Sequence, residues 1–240
     1  MKTSIMQGTV QKIANSRGDI DRLQREKNNL RRLAQTGLVP QLLQQRPDRL
    51  ELEYIAGESM EQWLHLDYMA GWRAVAPPLP QALDRLRRYA TLEQALLRAG
   101  VLYRDLNLQP LIFTLQGARI VNLEAAEIQQ TDGLWRVTSR RGTYETMAPE
   151  ELLGSRLTAR TASYWFAIVA HLVLAGCLPF RSVPQRWRAY RNRRPAAIAP
   201  QLPAPVHRVL AASLQCQPAR RHSDPARLMQ ALERAYAQYK

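Results

Sequence analysis

The chain has 240 residues, 46% of them hydrophobic, and its 34 Lys and Arg against 20 Asp and Glu give a formal net charge of +14. A chain of this length can bury a substantial core, so folding requires neither a disulfide framework nor a structural metal. Its two cysteines, Cys177 and Cys216, form no CxxC or Cys/His cluster, which argues against a zinc module and predicts a reducing compartment. The positive charge favours an acidic partner, although an arginine-rich surface without a function would give the same composition.

Two further patterns concern where the protein resides. The first twelve residues, MKTSIMQGTVQK, lack the apolar run and the small-residue cleavage site of a secretory signal. The longest apolar stretch, residues 164–178, is too short for a comfortable membrane span and contains His171. We therefore expect a cytoplasmic protein.

The first quarter of the chain predicts strands around one helix. Residues 8–15 alternate weakly between polar and apolar and predict a strand. Apolar residues at helical spacing predict a helix over residues 20–35, which ends before Gly37. Two short strands are predicted next, at residues 41–43 and 50–54.

The remaining chain predicts mostly helices. Ser59 is placed to cap a short helix over residues 58–64, and a strongly amphipathic helix is predicted over residues 81–99. Two short β segments are predicted around residues 111–113 and 119–122, and the rest is predicted to be helical with proline-rich joints at 195–205. This order of elements predicts an α+β architecture with two lobes.

Five short motifs follow one another at spacings that are typical of one family. They are YRDLNLQP at 103–110, IVNLE at 120–124, GTYETMAPE at 142–150, AGCLPF at 175–180 and RRHS at 220–223. The series resembles the catalytic loop, DFG, APE, helix-ending and late-arginine motifs of bacterial Ser/Thr protein kinases. The resemblance implies one bilobal protein kinase-like domain over residues 1–240. Its parts would be a truncated N-terminal β lobe (1–56), a hinge near 53–57 and a mainly helical C-terminal lobe (57–240).

The resemblance also implies a nucleotide site that retains only part of its residues. Lys12 and Glu26 match the ion pair that positions nucleotide phosphates in kinases. The pair could equally be a structural salt bridge between strand and helix, or two solvated side chains. No cofactor and no metal are expected, while ATP binding without metal stays open.

Several residues that phosphoryl transfer needs are replaced. Pro110 stands at the catalytic-loop metal ligand and Asn122 at the DFG aspartate, and hard Mg²⁺ prefers carboxylate oxygens to the single amide oxygen of Asn122. Asn107 stands where a Ser/Thr kinase keeps a lysine. Asp105 is kept, either as a remaining base or to hold the loop backbone. The eleven residues before Lys12 are expected to be too few for the hairpin that carries a glycine-rich phosphate loop.

These losses predict a catalytically inactive pseudokinase that acts as a scaffold or regulatory binding protein. The alternative is an enzyme of altered chemistry that transfers a phosphoryl or nucleotidyl group, using Asp105 and Glu124. The resemblance also implies a buried ion pair between Glu150 and Arg221 that braces the helical lobe.

Two segments suggest contacts with other molecules. The partner is expected to be a protein, acidic or itself a kinase or phosphatase, ahead of nucleic acid or an anionic membrane; the oligomeric state is left open. Thr138 and Ser139 are candidate phosphosites, where a phosphate would pair with Arg104 and order the segment. The stretch from 181 to 194 combines arginine with aromatic residues and suits an acidic surface, unless it is simply a solvated loop and helix. Its candidate contact residues are Arg181, Arg186, Trp187, Arg188, Arg191, Arg193 and Arg194.

Overall fold

The fold consists of a small sheet-containing lobe followed by a larger helical lobe. A computed structural model describes residues 1–6, 8–104, 107–138, 146–154, 156–180 and 198–239. Within these ranges, both the predicted α+β class and the division into two lobes are confirmed.

The first lobe is an antiparallel sheet of four strands in the described residues, with a helix packed on one face. The strands are β1 (Lys2–Met6), β2 (Thr9–Ile13), β3 (Leu42–Arg46) and β4 (Arg49–Glu53), in the spatial order β1-β2-β4-β3. Helix α1 (Arg17–Leu33) begins at Ser16, whose side chain accepts a hydrogen bond from the Asp19 backbone. Its apolar face buries Leu23, Leu30 and Leu33, and the facing side of β4 buries Leu50 and Leu52.

Strand β1 was not predicted from the sequence. It pairs with β2 along its whole length, from Lys2 opposite Ile13 to Met6 opposite Thr9, and Gly8 takes a φ of +77° in the turn between them. Lys12 lies on the second strand of this hairpin, so β1 is the one strand that the described residues place before it. That eleven residues are too few for the hairpin that carries a glycine-rich phosphate loop stays a prediction. Two five-residue strands fit because the connecting turn is short.

The second lobe combines helices with short strand pairs. Its helices are α2 (Met60–Leu64), α3 (Leu79–Arg98), α4 (Pro149–Leu152), α5 (Ala159–Ala175), α6 (Ala204–Ser213) and α7 (Pro225–Ala237). Its strands are β5 (Glu58–Ser59), β6 (Val101–Leu102), β7 (Leu111–Thr114), β8 (Gly117–Ile120), β9 (Glu127–Ile128), β10 (Trp135–Arg136) and β11 (Arg156–Leu157). They pair as β5-β7-β8, β6-β9 and β10-β11. The prediction that everything after β8 is helical is wrong, because β9, β10 and β11 lie there.

Helix α5 is the centre of the helical lobe. Its residues 161–173 are buried on all sides, as expected for a helix that is apolar around its whole circumference. Thr158 caps its start, and Gly176, with φ +70°, ends it in a left-handed conformation. The Phe166 ring stacks on Tyr89 of α3, with ring centroids 5.5 Å apart. Within the described ranges, none of the helices is both long enough and apolar enough to cross a membrane.

Residues 54–57 connect β4 with β5 and carry the chain from one lobe to the other. The connection is tight, because a Cβ at Gly57 would overlap the carbonyl oxygen of Phe113. Beside it, Arg119 of β8 forms an ion pair with Glu53 at 3.2 Å and donates to the Val39 carbonyl at 3.0 Å. The two lobes are thus joined here by side chains as well as by the backbone.

Candidate functional site

Lys12 and Glu26 meet between β2 and α1. The Lys12 Nζ donates to Glu26 Oε1 at 2.6 Å and to Oε2 at 2.8 Å. Both side chains are buried, and the Glu26 carboxyl is fully inaccessible. Burial raises the pKa of Glu26, and the Lys12 ammonium opposes that rise. The pair comes together because the Ser16 cap fixes the start of α1, which turns Glu26 with Leu23 and Leu30 towards the sheet.

The turn at residues 122–124 contacts this ion pair directly. Asn122 Oδ1 lies 3.5 Å from Lys12 Nζ and also accepts a hydrogen bond from the Glu124 backbone at 3.3 Å. The Leu123 backbone N–H donates to Glu26 Oε1 at 3.4 Å. The single side-chain oxygen of Asn122 is therefore shared by two donors, and its amide nitrogen is a donor that cannot ligate a metal.

The counterpart of the catalytic loop is held by local hydrogen bonds. Asn107 Oδ1 accepts from the Gln109 backbone at 3.1 Å and from the Tyr68 hydroxyl at 3.4 Å. Pro110 is buried, and its carbonyl accepts from the Val121 backbone at 3.0 Å. Asp105, the candidate base, lies outside the described residues.

Asn29 and Arg32 of α1 also bind the helical lobe, and sequence reasoning missed both. Asn29 Nδ2 donates to the carbonyls of Leu123 at 3.0 Å and Ala126 at 3.3 Å. Arg32 Nε donates to the Ala99 carbonyl at 2.8 Å, at the end of α3. An asparagine on the apolar face of a helix was the available signal, because a buried amide needs partners from outside the helix.

A second buried cluster surrounds Arg104, the arginine of the catalytic-loop motif. Its Nη1 donates to Glu127 Oε1 at 2.6 Å, and its Nε donates to Glu151 Oε1 at 2.9 Å. Glu151 Oε2 also accepts from Trp165 Nε1 at 2.9 Å and from the Ala148 backbone at 3.0 Å. Burial raises the pKa of Glu151, and the Arg104 charge opposes that rise. Sequence reasoning did not identify either carboxylate.

Thr138 joins this cluster from the surface. Its backbone N–H donates to Glu127 Oε1 at 2.9 Å and its hydroxyl donates to Glu127 Oε2 at 2.6 Å. Arg25 of α1 donates to the Thr138 hydroxyl at 2.5 Å and to its carbonyl at 3.3 Å. Arg104 therefore contacts Glu127 rather than Thr138 itself. Ser139, the other candidate phosphosite, lies outside the described residues.

Glu150 and Arg221 form a bidentate pair in the helical lobe. Arg221 Nη1 and Nη2 donate to the two Glu150 oxygens at 2.7 and 2.9 Å. Arg221 also donates to the carbonyls of Gln215 and Cys216, and its guanidinium lies over the Tyr164 ring at 4.7 Å. The pair fixes α4 to the segment that precedes α7.

The arginine-rich candidate contact surface, from Arg181 to Arg194, lies outside the described residues. Elsewhere, among the side chains that the structure describes, no three of His, Cys, Asp and Glu converge where they could hold a metal ion.

The architecture and the site together define a protein kinase-like fold. A β-sheet lobe carries a Lys–Glu pair between strand and helix, and the turn at 122–124 approaches that pair from the helical lobe. The helical lobe is built around α5 and braced by the Glu150–Arg221 pair.

Comparisons with known proteins agree with this class. The chain is 27% identical over 184 residues to a Corynebacterium efficiens protein described as "Serine/threonine-protein kinases drp72", covering 75% of this chain and 34% of that protein. It is 27% identical over 205 residues to "Serine/threonine-protein kinase Pkn1" of Myxococcus xanthus, covering 79% and 28%. It is 26% identical over 162 residues to "Serine/threonine-protein kinase PknH" of Mycobacterium bovis, covering 65% and 27%. No family model matches the chain.

The chain is thus related to bacterial serine/threonine protein kinases. It spans between 27% and 34% of the length of these three relatives.

Proposed function

We propose that this protein is a catalytically inactive pseudokinase that serves as a scaffold or regulatory binding protein for another protein. The observation that carries the proposal is the state of the two metal-ligand positions. Asn122 offers one neutral oxygen, which two donors already share, and Pro110 offers no side-chain ligand.

The two metal-ligand positions carry the proposal of lost catalysis because phosphoryl transfer depends on metal ions. Catalysis consists mostly of placing the phosphates and neutralising their charge with metal ions. Mg²⁺ demands near-octahedral oxygen coordination and is usually held by one or two carboxylates. With Asn122 and Pro110 in place, the site lacks both customary side-chain ligands, and the Pro110 carbonyl is itself bonded to Val121.

The retained framework supports a role that depends on shape. In the part of the chain that the structure describes, three sets of buried ion pairs hold the fold: Lys12–Glu26, Arg104 with Glu127 and Glu151, and Glu150–Arg221. Desolvating such charges is expensive, and each set persists only with its partners in place. A fold that keeps these ion pairs but lacks the metal ligands is suited to binding another protein through its surface. Given the net charge of +14, we propose an acidic protein partner, such as a true kinase or phosphatase.

Thermal unfolding with ATP, alone and with Mg²⁺ or Mn²⁺, tests the loss of catalysis. We expect no metal-dependent rise in melting temperature, because a ligand raises it only by binding the folded state. The double variant Pro110→Asn and Asn122→Asp restores both ligands and should gain a metal-dependent rise if the nucleotide cleft is otherwise intact. A metal-dependent rise of several degrees in the unaltered protein would overturn the proposal and favour the enzyme of altered chemistry.

The scaffold role needs a separate test. Proteins encoded beside this chain's gene are the first candidates, and calorimetry with each purified protein measures binding. We expect one of them to bind with an affinity that falls as salt is added. Replacing Arg188, Arg191, Arg193 and Arg194 with glutamate should weaken that binding if the basic stretch contributes. Tight binding that ignores both salt and these replacements would argue against an acidic partner.

A further inference from the structure

Strand β1 is an edge of the four-stranded sheet, and among the residues that the structure describes it has one neighbouring strand, β2. Two of its apolar side chains, Ile5 and Met6, are 64% and 55% exposed. The backbone groups on the open side of an edge strand are able to pair with a strand of another chain, so proteins commonly interrupt or cover their edges. The open side of β1 is therefore a place where another chain could add to the sheet.

The opposite edge of the sheet, β3, is interrupted. Its pairing with β4 shifts register between Leu42 and Gln44, which leaves Leu43 as an extra residue. Such a bulge bends the strand and hinders the addition of a further one. Strand β1 has no such shift, because its five residues pair with β2 in unbroken register. Of the two edges, β1 is thus the one that is regular enough to accept a partner strand.

The backbone groups on the open side of β1 belong to Thr3 and Ile5. Ala14, which follows β2, donates its N–H to the Asp48 carbonyl at 2.8 Å, on the β4 side of the sheet. Residues of an antiparallel strand direct their backbone groups to alternate sides, so every second residue of β2 counted back from Ala14 faces β4 and the others face β1. The β1 residues opposite those others are bonded to β2, and they are Lys2, Ser4 and Met6.

We propose that β1 is a self-association surface, on which a second copy of this chain pairs its own β1 in the antiparallel direction and joins the two sheets into one. A two-fold axis at Ser4 places Thr3 of each copy opposite Ile5 of the other. These are the two residues whose N–H and carbonyl groups point outward, so both pairs are of the hydrogen-bonded kind. A single symmetric register therefore satisfies the outward groups of Thr3 and Ile5 in both copies.

The side chains of β1 suit the same register. Ile5 of each copy lies opposite Thr3 of the other, and the two Ile5 side chains are diagonal neighbours on one face of the sheet. On the other face, Met6 lies opposite Lys2, whose aliphatic stem is an apolar neighbour. Lys2 is the charged residue of β1, and the register separates the two lysines by about 14 Å along the strands, more than the Debye length of about 8 Å at physiological salt. The paired strands therefore bring no like charges into contact.

The association should be weak and should depend on salt. Two strands of this length bury less than the roughly 1,200 Å² of a stable interface. Each copy also carries a net charge of +14, so two copies repel each other. We expect a dissociation constant on the order of 100 µM at physiological salt. The constant should fall as salt is added, because salt screens the repulsion.

Sedimentation equilibrium of the full chain tests the association. Between about 10 µM and about 1 mM we expect the chain to change from mostly monomer to mostly dimer. Ile5→Lys places a charge in the paired strands and should keep the chain monomeric throughout. Leu43→Lys adds the same charge at the exposed bulge of β3 and should dimerise like the unaltered chain. An unaltered chain that stays monomeric, or a dimer that survives Ile5→Lys, would overturn the inference.

Amide hydrogen exchange followed by NMR tests whether the outer edge of β1 is the surface involved. The amides of Thr3 and Ile5 should exchange about threefold more slowly at about 1 mM than at about 50 µM, in proportion to the fraction of chain that stays monomeric. The amides of Ser4 and Met6, which are bonded to β2 in monomer and dimer alike, should change far less. Equal slowing at all four amides would show that pairing does not use the outer edge and would contradict the inference.

A backbone variant removes the pairing without adding charge. Ile5→Pro deletes the outward N–H at position 5 and no hydrogen bond to β2, because proline is tolerated where the N–H of an edge strand faces solvent. It should abolish the concentration dependence of exchange at Thr3; a dependence that persists would overturn the inference. These experiments need no partner, ATP or metal. Self-association should also strengthen with salt, whereas binding of an acidic partner should weaken, so failure of this inference and failure of the proposed function are distinguishable.

Discussion

The two terminal nitrogens of Arg221 donate hydrogen bonds to the two carboxylate oxygens of Glu150, at 2.7 and 2.9 Å, inside the helical lobe. Replacing Arg221 with lysine should lower the free energy of unfolding by about 3 kcal/mol, because an ammonium cannot keep the bidentate pair and leaves Glu150 partly unpaired. Urea unfolding at neutral pH measures the loss. The matched control is Arg87→Lys in the exposed pair with Glu233, where we expect a change under about 0.5 kcal/mol. Equal losses in the two variants would contradict the structural importance of the Glu150–Arg221 pair.

Glu93 should make the protein less stable as pH rises. Burial on α3 raises the pKa of its carboxyl from 4.5 to about 8, although a hydrogen bond from Tyr89 opposes the rise. The unfolded chain loses this proton near pH 4.5 and the folded chain keeps it until about pH 8. The stability is therefore fully present below pH 4.5 and is lost between those values. Glu93→Gln should remove this slope and raise the free energy of unfolding at pH 8 by a few kcal/mol, on the order that such a shift implies.

Denaturant unfolding at a series of pH values from 4.5 to 8.5 checks this expectation. Glu61→Gln, on the half-exposed first turn of α2, is the control for removing a carboxylate, and its pH profile should parallel that of the unaltered chain. A profile for Glu93→Gln that also parallels the unaltered chain would show that Glu93 does not titrate as described.

His171 should make the protein less stable as pH falls. Its Nδ1 lies 2.7 Å from the Cys177 carbonyl and its Nε2 accepts from the Ala199 backbone at 3.0 Å, which fits only the neutral ring with the proton on Nδ1. Burial lowers the pKa of His171 below 6.5, so the unfolded chain takes up a proton that the folded chain refuses. The free energy of unfolding should therefore fall as pH drops below about 6.5.

The measurement compares the stability difference between pH 7.5 and 5.5 in two variants. His171→Gln removes the titrating ring, so the free energy of unfolding should differ less between the two pH values than in the unaltered chain. The same substitution should lower stability at both pH values. His65→Asn replaces an exposed histidine whose left-handed φ of +46° asparagine tolerates. It should leave the pH difference unchanged; the expectation fails if the two variants respond alike.

Gly176 should tolerate alanine far less well than Gly154. Both glycines have a left-handed φ, +70° and +65°, so both substitutions cost about 1 kcal/mol in backbone strain. A Cβ at Gly176 would also overlap the Ala74 carbonyl, whereas the space around Gly154 is open. We expect Gly176→Ala to lose about 3 kcal/mol or more in urea unfolding. Equal losses would mean that the segment containing Ala74 moves aside easily.

The sequence predicted the long helices and several short elements, among them β7 and β8, but missed β1 and the two-residue strands. Helices α1 and α3 have clear apolar periodicity, and Ser59 was recognised as the cap of α2. Strand β1 has no such signal, because it is an exposed edge whose stability comes from backbone pairing with β2. The two-residue strands β6 and β9 arise from contacts between distant segments, which no local window contains.

The sequence likewise predicted some contacts of the candidate site and missed others. The motif series directed attention to Lys12, Glu26, Glu150 and Arg221, and the structure brings each pair together. The partners of Arg104 lie 23 and 47 residues away, and those of Asn29 lie 94 and 97 residues away. Residues separated this far along the sequence show no local pattern, so these contacts can be identified only from the three-dimensional structure.

The crossing at Gly57 has a consequence for how the lobes can move. The backbone passes against Phe113 without room for a side chain, and the Arg119–Glu53 pair lies beside it. Arg25 of α1 reaches Thr138 of the helical lobe through solvent-exposed hydrogen bonds. A rotation of one lobe against the other about this crossing would therefore change the distance between α1 and Thr138. A spin label on α1 and a second label near Thr138 would report such a rotation.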